Sequence, residues 1–106
     1  MIKANLRFCV LASILLTITI LSSCKQDKAE APFNKGLEYI VNEQYLEAIE
    51  PLKQAIRIDP EFALAHYSLG FAYYYNGSKG LALDQYKILK ELDKDLANSL
   101  FDMIYE

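Results

Sequence analysis

The sequence predicts an all-α protein, a short α-solenoid of two helical hairpins followed by one further helix. The first observation behind this prediction is a repeat, because a set of small and apolar residues recurs at the constant spacing that separates Gly36 from Gly70. The second is the helical spacing of the apolar residues within each copy. A fixed period of about 34 residues is typical of helical repeat proteins, in which neighbouring repeats supply each other's core.

The two copies are in register over their whole length. The first comprises Gly36, Tyr39, Ala48, Leu52, Ala55, Ile58 and Pro60, and the second comprises Gly70, Tyr73, Ala82, Tyr86, Leu89, Leu92 and Lys94. In each copy the glycine allows two helices to approach closely, and the alanine of the next helix faces the resulting gap. The large apolar residue four positions after that alanine is predicted to close the same face.

These residues resemble the tetratricopeptide repeat (TPR) family. The clearest match is Leu69-Gly70-x-x-Tyr73 followed by Ala82-x-x-x-Tyr86. The departures are Pro32 and His66 at the usual Trp position, Lys35 before Gly36, Leu89 in place of Ala, and Lys94 in place of the closing Pro. The resemblance covers about residues 29–95 and implies repeats at about 29–62 and 63–96.

The predicted helices span about residues 31–42, 45–58, 60–75, 79–92 and 95–105. Asp59 is the predicted N-cap of the third helix, Ser78 of the fourth, and Asp93 or Asp95 of the fifth. The third helix should stop at Asn76-Gly77, a left-handed C-terminal signal. Pro51 allows two interpretations: a kink inside the second helix, or a late start with Pro51 in its first turn.

The fifth helix begins where a third copy would begin, yet Ile104 occupies the glycine position. We interpret it as a capping helix that covers the exposed face of the second repeat, as solenoids require. The alternative is a truncated third repeat.

Residues 1–23 have the pattern of a secretory signal, with Lys3 and Arg7 preceding an apolar run over 8–21. This run is short for a bilayer-spanning helix, which needs about 20 residues. Its end, Leu21-Ser22-Ser23-Cys24, resembles the bacterial lipobox, which implies that Cys24 is lipidated. Residues 24–30 would then be the lipidated cysteine and a tether, and 31–106 the TPR domain. The alternative is an ordinary signal peptide or an uncleaved anchor with an incidental cysteine.

This interpretation places the protein in the bacterial cell envelope, anchored by lipid. Because Lys25 and not Asp follows Cys24, the outer membrane facing the periplasm is favoured. Loss of Lys3 and Arg7 leaves nine of the 11 basic residues against 14 acidic ones, a net charge of about −5. An acidic domain without a basic stripe argues against nucleic acid as a partner and against electrostatic adhesion to anionic lipid.

The sequence offers no catalytic or metal-binding constellation. His66 is the only histidine, and no cysteine other than Cys24 remains after the signal. We therefore expect no cofactor and no enzymatic activity, and we interpret His66 as a packing or rim residue. A small-ligand site would require a closed pocket ringed by Tyr67, Tyr74 and Tyr75.

The resemblance implies that the first helix of each repeat lines a concave groove. The partner-binding positions carried onto this chain are Phe33, Leu37, Ile40, Tyr67, Phe71 and Tyr74. They are apolar or aromatic, which suits a peptide or partner protein with apolar anchors, of unknown identity. Two alternatives remain open: the last helix fills the groove, or a second copy packs there, which would make the protein a self-associating structural component of the envelope.

Overall fold

The computed structural model describes residues 24–106. Residues 1–23, and with them the predicted signal peptide, lie outside the described part. The described chain forms five helices: α1 over 24–41, α2 Tyr45–Ile58, α3 Ala63–Tyr75, α4 Lys79–Leu92 and α5 Lys94–Tyr105. The predicted all-α fold is confirmed. Within 24–106, no helix combines the length and the apolar character that crossing a bilayer demands.

Helix α1 starts earlier than predicted. Residues 24–30, predicted to be a tether, are helical, and Ala29 is fully buried in the core. The reason lies in spacing: Ala29 is one helical turn before Phe33 and two turns before Gly36, so it continues the buried face of α1. The segment next to Cys24 is therefore part of the first helix.

The turns that end α1 and α3 have the same backbone hydrogen bonds. The N–H of Gln44 donates to the carbonyl of Tyr39 at 2.8 Å, and the N–H of Ser78 donates to that of Tyr73, also at 2.8 Å. The two donors are separated by one repeat period, and so are the two acceptors. The repeat thus extends to the hydrogen bonds that satisfy the last carbonyls of each first helix.

Each of these turns contains one residue in the left-handed region. It is Gly77 in the second copy, with φ +87°, as the sequence predicts, and Glu43 in the first, with φ 59°. Only glycine adopts this conformation without a steric cost from Cβ. Ser78 precedes α4 as predicted, but its side chain makes no capping hydrogen bond.

The turns that lead into α3 and α5 contain equivalent aspartates with different roles. Asp93 caps α5, and its Oδ1 accepts from the N–H groups of Asp95 at 3.0 Å and Leu96 at 3.1 Å. The predicted cap at Asp59 is wrong, because its Oδ1 accepts only from the N–H of Glu61, at 3.2 Å. That bond closes a turn, and α3 begins beyond it without a side-chain cap.

Pro51 lies inside α2, which begins at Tyr45. The late-start interpretation is therefore wrong. The proline costs α2 one internal hydrogen bond, but Ala48, Leu52 and Ala55 are fully buried on the same face of this helix. Burial of that face continues on both sides of the proline and holds the helix together.

The two repeat glycines admit neighbouring side chains, although not the same ones. A Cβ on Gly36 would lie 2.6 Å from Cγ of Leu52, as the repeat pattern predicts. A Cβ on Gly70 would lie 2.7 Å from a methyl of Leu100, which belongs to α5. At this second glycine a residue of the fifth helix fills the gap, whereas Tyr86 is partly buried and packs against the core.

Helix α5 packs against both α3 and α4. Its buried residues are Ala97, Leu100 and Ile104. It therefore covers the second repeat, as a capping helix does.

His66 is a buried connector between three elements. The residue is 4 % exposed, with Nδ1 2.8 Å from Oε1 of Gln85 in α4 and Nε2 2.8 Å from the carbonyl oxygen of Pro60. A carbonyl only accepts, so Nε2 carries a proton and donates to Pro60. Nδ1 of the neutral ring is then an acceptor, which requires the Gln85 amide to be turned over so that its nitrogen takes the place of Oε1. The packing role expected for His66 agrees with these contacts.

Candidate protein-interaction surface

Four aromatic side chains form a continuous cluster at one end of the α2–α3 hairpin. This cluster, here the α2–α3 aromatic cluster, consists of Tyr45, Phe71, Tyr74 and Tyr75. The ring centroids of Tyr45 and Tyr75 are stacked 5.2 Å apart, and those of Phe71 and Tyr75 are 4.6 Å apart. Tyr74 meets Tyr75 edge-on at 5.2 Å, and Tyr45 lies 6.1 Å from Phe71.

The local sequence explains why these rings meet. Phe71 precedes Tyr74 by three positions and Tyr75 by four along α3, which places the three rings on one side of the helix. Tyr45 is the first residue of α2, and α3 ends at Tyr75. Because the two helices run antiparallel, the start of α2 lies beside the end of α3.

The cluster is accessible to a partner. Tyr75 is 51 % exposed, whereas Tyr45, Phe71 and Tyr74 are half-buried. Partly buried rings that hold one another at stacking and edge-on distances lose little side-chain entropy when a partner binds. The cluster thus offers apolar faces and phenol hydroxyls in a fixed arrangement.

The six predicted partner-binding residues lie in three different environments. It brings Phe71 and Tyr74 together in the aromatic cluster. Phe33 is a core residue instead, because its ring is only 9 % exposed and lies 4.7 Å from that of Phe62. The remaining three, partly buried and packed against the core, are Leu37, Ile40 and Tyr67.

Two aromatic contributions are not predicted by the sequence. The apolar spacing places Tyr45 only at the start of a helix, although its ring stacks on Tyr75. A second aromatic set on α4 and α5 was also missed, with Tyr86 5.3 Å from Phe101 and Phe101 4.6 Å from Tyr105. The repeat period could have indicated this second set, since one period separates Tyr67 from Phe101 and also Phe71 from Tyr105.

The second set borders an open groove of ≈ 800 Å³ between α4 and α5. This α4–α5 groove is lined mainly by Leu81, Asp84, Tyr86, Lys87, Phe101 and Tyr105. The Nζ of Lys79 lies 4.5 Å from the centre of the Tyr105 ring, a cation–π contact. Lys79 and Tyr105 each lie one repeat period after Tyr45 and Phe71, respectively, so the period relates the two surfaces.

The potential metal ligands among the described residues are dispersed. No group of three or more His, Cys, Asp or Glu side chains in the 24–106 region could hold a metal ion. The ion pairs found there join Glu50 to Lys53 and to Arg57, and Asp84 to Lys87, at 3.7–3.9 Å in exposed positions. Exposed pairs of this kind contribute little to stability.

Comparison with known families agrees with the fold. Residues 36–77 match the family described as TPR repeat, a stretch from the second half of α1 to the turn after α3. The chain thus contains a TPR repeat there, and such repeats are typically non-enzymatic modules for protein–protein interaction. Neither the curated proteins nor the solved structures gave a significant match.

Proposed function

We propose that this protein is a lipid-anchored TPR module that binds a peptide or partner protein through the α2–α3 aromatic cluster. The observation that carries the proposal is the cluster itself: four mutually packed rings at the end of a hairpin within the TPR segment, with Tyr75 half exposed. Rigid aromatic side chains contribute large contact areas to interfaces and often dominate their binding energy.

The chemistry of the cluster defines the kind of partner. Its rings favour apolar or aromatic anchor side chains, and its tyrosine hydroxyls can bond with the backbone of a bound segment. The partly buried Leu37, Ile40 and Tyr67 extend apolar surface beyond the cluster. An extended or helical peptide with spaced apolar anchors matches this surface.

Membrane attachment is the second part of the proposal. The lipobox-like sequence before Cys24 supports lipidation, and Cys24 itself is exposed at the described start of α1. The buried Ala29 follows Cys24 by little more than one helical turn, so the domain would be held within roughly 10 Å of the membrane surface. The location proposed is the bacterial envelope, on the periplasmic side of the outer membrane.

Lipidation is tested by metabolic labelling of the full chain with palmitate in a bacterial host. Cys24→Ser should abolish the label and processing, whereas the matched Cys9→Ser should retain both. Label that persists in Cys24→Ser, or an unlabelled wild type, would refute the anchor without affecting the interaction proposal.

Partner binding is tested by placing a photo-crosslinking amino acid at position 75 of the full chain and identifying the adducts. Phe71→Ala, with the crosslinker kept at 75, should remove a specific adduct. Leu64→Ala is the matched control and should keep the adduct. Leu64 is 50 % exposed on the same helix, but it lies about 16 Å from position 75 along the helix axis. An adduct that survives Phe71→Ala, or an adduct with a second copy alone, would refute a foreign partner at this cluster.

A further inference from the structure

We infer that the α4–α5 groove is a self-association surface whose occupant is the same groove of a second copy of this chain. The inference is independent of the proposed function, because the groove contains none of the four residues of the α2–α3 aromatic cluster. It also does not require lipidation.

Three large apolar side chains of the groove are exposed to solvent. Leu81 is 47 % exposed, Phe101 41 % and Tyr105 55 %, and all three line the same groove. Contiguous exposed apolar side chains of this kind mark interaction sites on soluble domains. Tyr86 lies beneath them and supports the ring of Phe101.

The opposite face of the solenoid excludes head-to-tail stacking of copies. The exposed positions of α1 carry polar or charged residues, mainly Lys25, Gln26, Asp27, Lys28, Glu30, Asn34, Lys35 and Glu38. The other exposed positions are Cys24, Ala31 and Val41, of which only Val41, at the C-terminal end of this helix, is a large apolar residue. Head-to-tail association would bury these charges against the apolar groove, whereas a two-fold arrangement brings one groove against another.

The charges in the groove suit a two-fold axis. Asp84 and Lys87 both line it, and their 3.8 Å ion pair is exposed to solvent. In a two-fold interface every contact occurs twice, so Asp84 and Lys87 of one groove can face Lys87 and Asp84 of the other, while Lys79 is held on the ring of Tyr105. The carboxylate of each copy can therefore pair with the ammonium group of the other.

The test uses charge reversal and mixing with the full chain in a mild detergent. Sedimentation equilibrium, in a solvent that matches the density of the detergent, gives the dimer dissociation constant. Asp84→Lys makes the groove doubly basic, and Lys87→Asp makes it doubly acidic. Each variant alone should dimerise about tenfold more weakly or worse, because like charges then face each other across the axis. Glu91→Lys, the same charge change on α4 outside this groove, should not alter the constant.

An equimolar mixture of Asp84→Lys and Lys87→Asp decides the matter. The two lysines at positions 84 and 87 of one groove then face the two aspartates at these positions of the other, and Lys79 is unchanged in both, so a heterodimer should form with nearly the wild-type dissociation constant. Restored association also shows that both variants are folded. A monomeric wild type, a dimer insensitive to both reversals, or a mixture that fails to associate would overturn the inference.

Discussion

The close approach of α1 and α2 at Gly36 makes a quantitative prediction. In Gly36→Ala the new Cβ would lie 2.6 Å from Cγ and 2.7 Å from Cδ2 of Leu52. Cγ is the branch point of a side chain that is fully buried, so it cannot rotate into solvent. Overpacking of this kind costs about 1–3 kcal/mol, and the better helix propensity of alanine offsets about 1 kcal/mol of it. Contacts of 2.6 and 2.7 Å are far inside van der Waals distance, so we place the overpacking cost in the upper part of that range, about 2–3 kcal/mol, and expect a net loss of about 1–2 kcal/mol.

Gly80→Ala is the matched control, because it adds the same methyl group to a helix where no atom lies within 4 Å. Without a clash, only the propensity term acts, and it should stabilise the protein by up to about 1 kcal/mol. Urea unfolding of the full chain in mild detergent, followed by circular dichroism, measures both effects. The two glycine substitutions should thus have opposite signs.

A double-mutant cycle identifies the cause. Leu52→Ala alone should cost about 2–5 kcal/mol through the cavity it leaves. In Gly36→Ala/Leu52→Ala the clash is gone and the added methyl occupies part of that cavity. The double variant should therefore be more stable than the sum of the single effects predicts, by about 1–3 kcal/mol. Additive effects, or a Gly36→Ala variant as stable as the wild type, would refute the close packing described above.

Three further predictions concern the turns and the buried histidine, and the same unfolding assay measures each. Asp93→Ala should cost about 1 kcal/mol by removing the cap of α5, whereas Asp93→Asn should cost much less because asparagine also caps; equal losses would contradict the capping role. Glu43 and Gly77 both have a left-handed backbone conformation, so Glu43→Gly should raise the free energy of unfolding by about 1 kcal/mol and Gly77→Ala should lower it by a similar amount, although no atom lies near the added methyl group. An unchanged free energy of unfolding in Gly77→Ala would contradict this explanation. His66→Ala should cost about 1–3 kcal/mol through two lost hydrogen bonds, and Gln85→Ala should cost less; a larger loss in Gln85→Ala would contradict the link to Pro60.

The bounds of two helices could be predicted from the sequence because the apolar residues recur with the repeat period. Tyr45–Ile58 and Lys79–Leu92 begin and end where the apolar spacing places them. The start of α1 was missed, because residues 24–30 are polar apart from Cys24 and the buried Ala29. A single small side chain carries too weak a hydrophobic signal to distinguish a helical turn from a tether.

The candidate surface was predictable only in part. Two of the family positions, Phe71 and Tyr74, lie in one aromatic cluster of the structure, because these residues are spaced along one helix. The family positions could not show that Phe33 is buried, since that depends on Phe62, which lies beyond α2, just before the start of α3. The contribution of Tyr45 likewise depends on how α2 meets the end of α3. Contacts between elements require tertiary geometry that periodicity does not contain.

Ile104 marks where α5 departs from the repeat pattern. It stands at the period position of Gly36 and Gly70, but it is only 4 % exposed and belongs to the core. The two glycines leave room for Leu52 and Leu100, which come from neighbouring helices, whereas this position of α5 carries a large side chain of its own into the core. The inner face of α5 thus contributes packing where the first helices of the repeats contribute a gap. Its other face carries the exposed Phe101 and Tyr105, which line the α4–α5 groove.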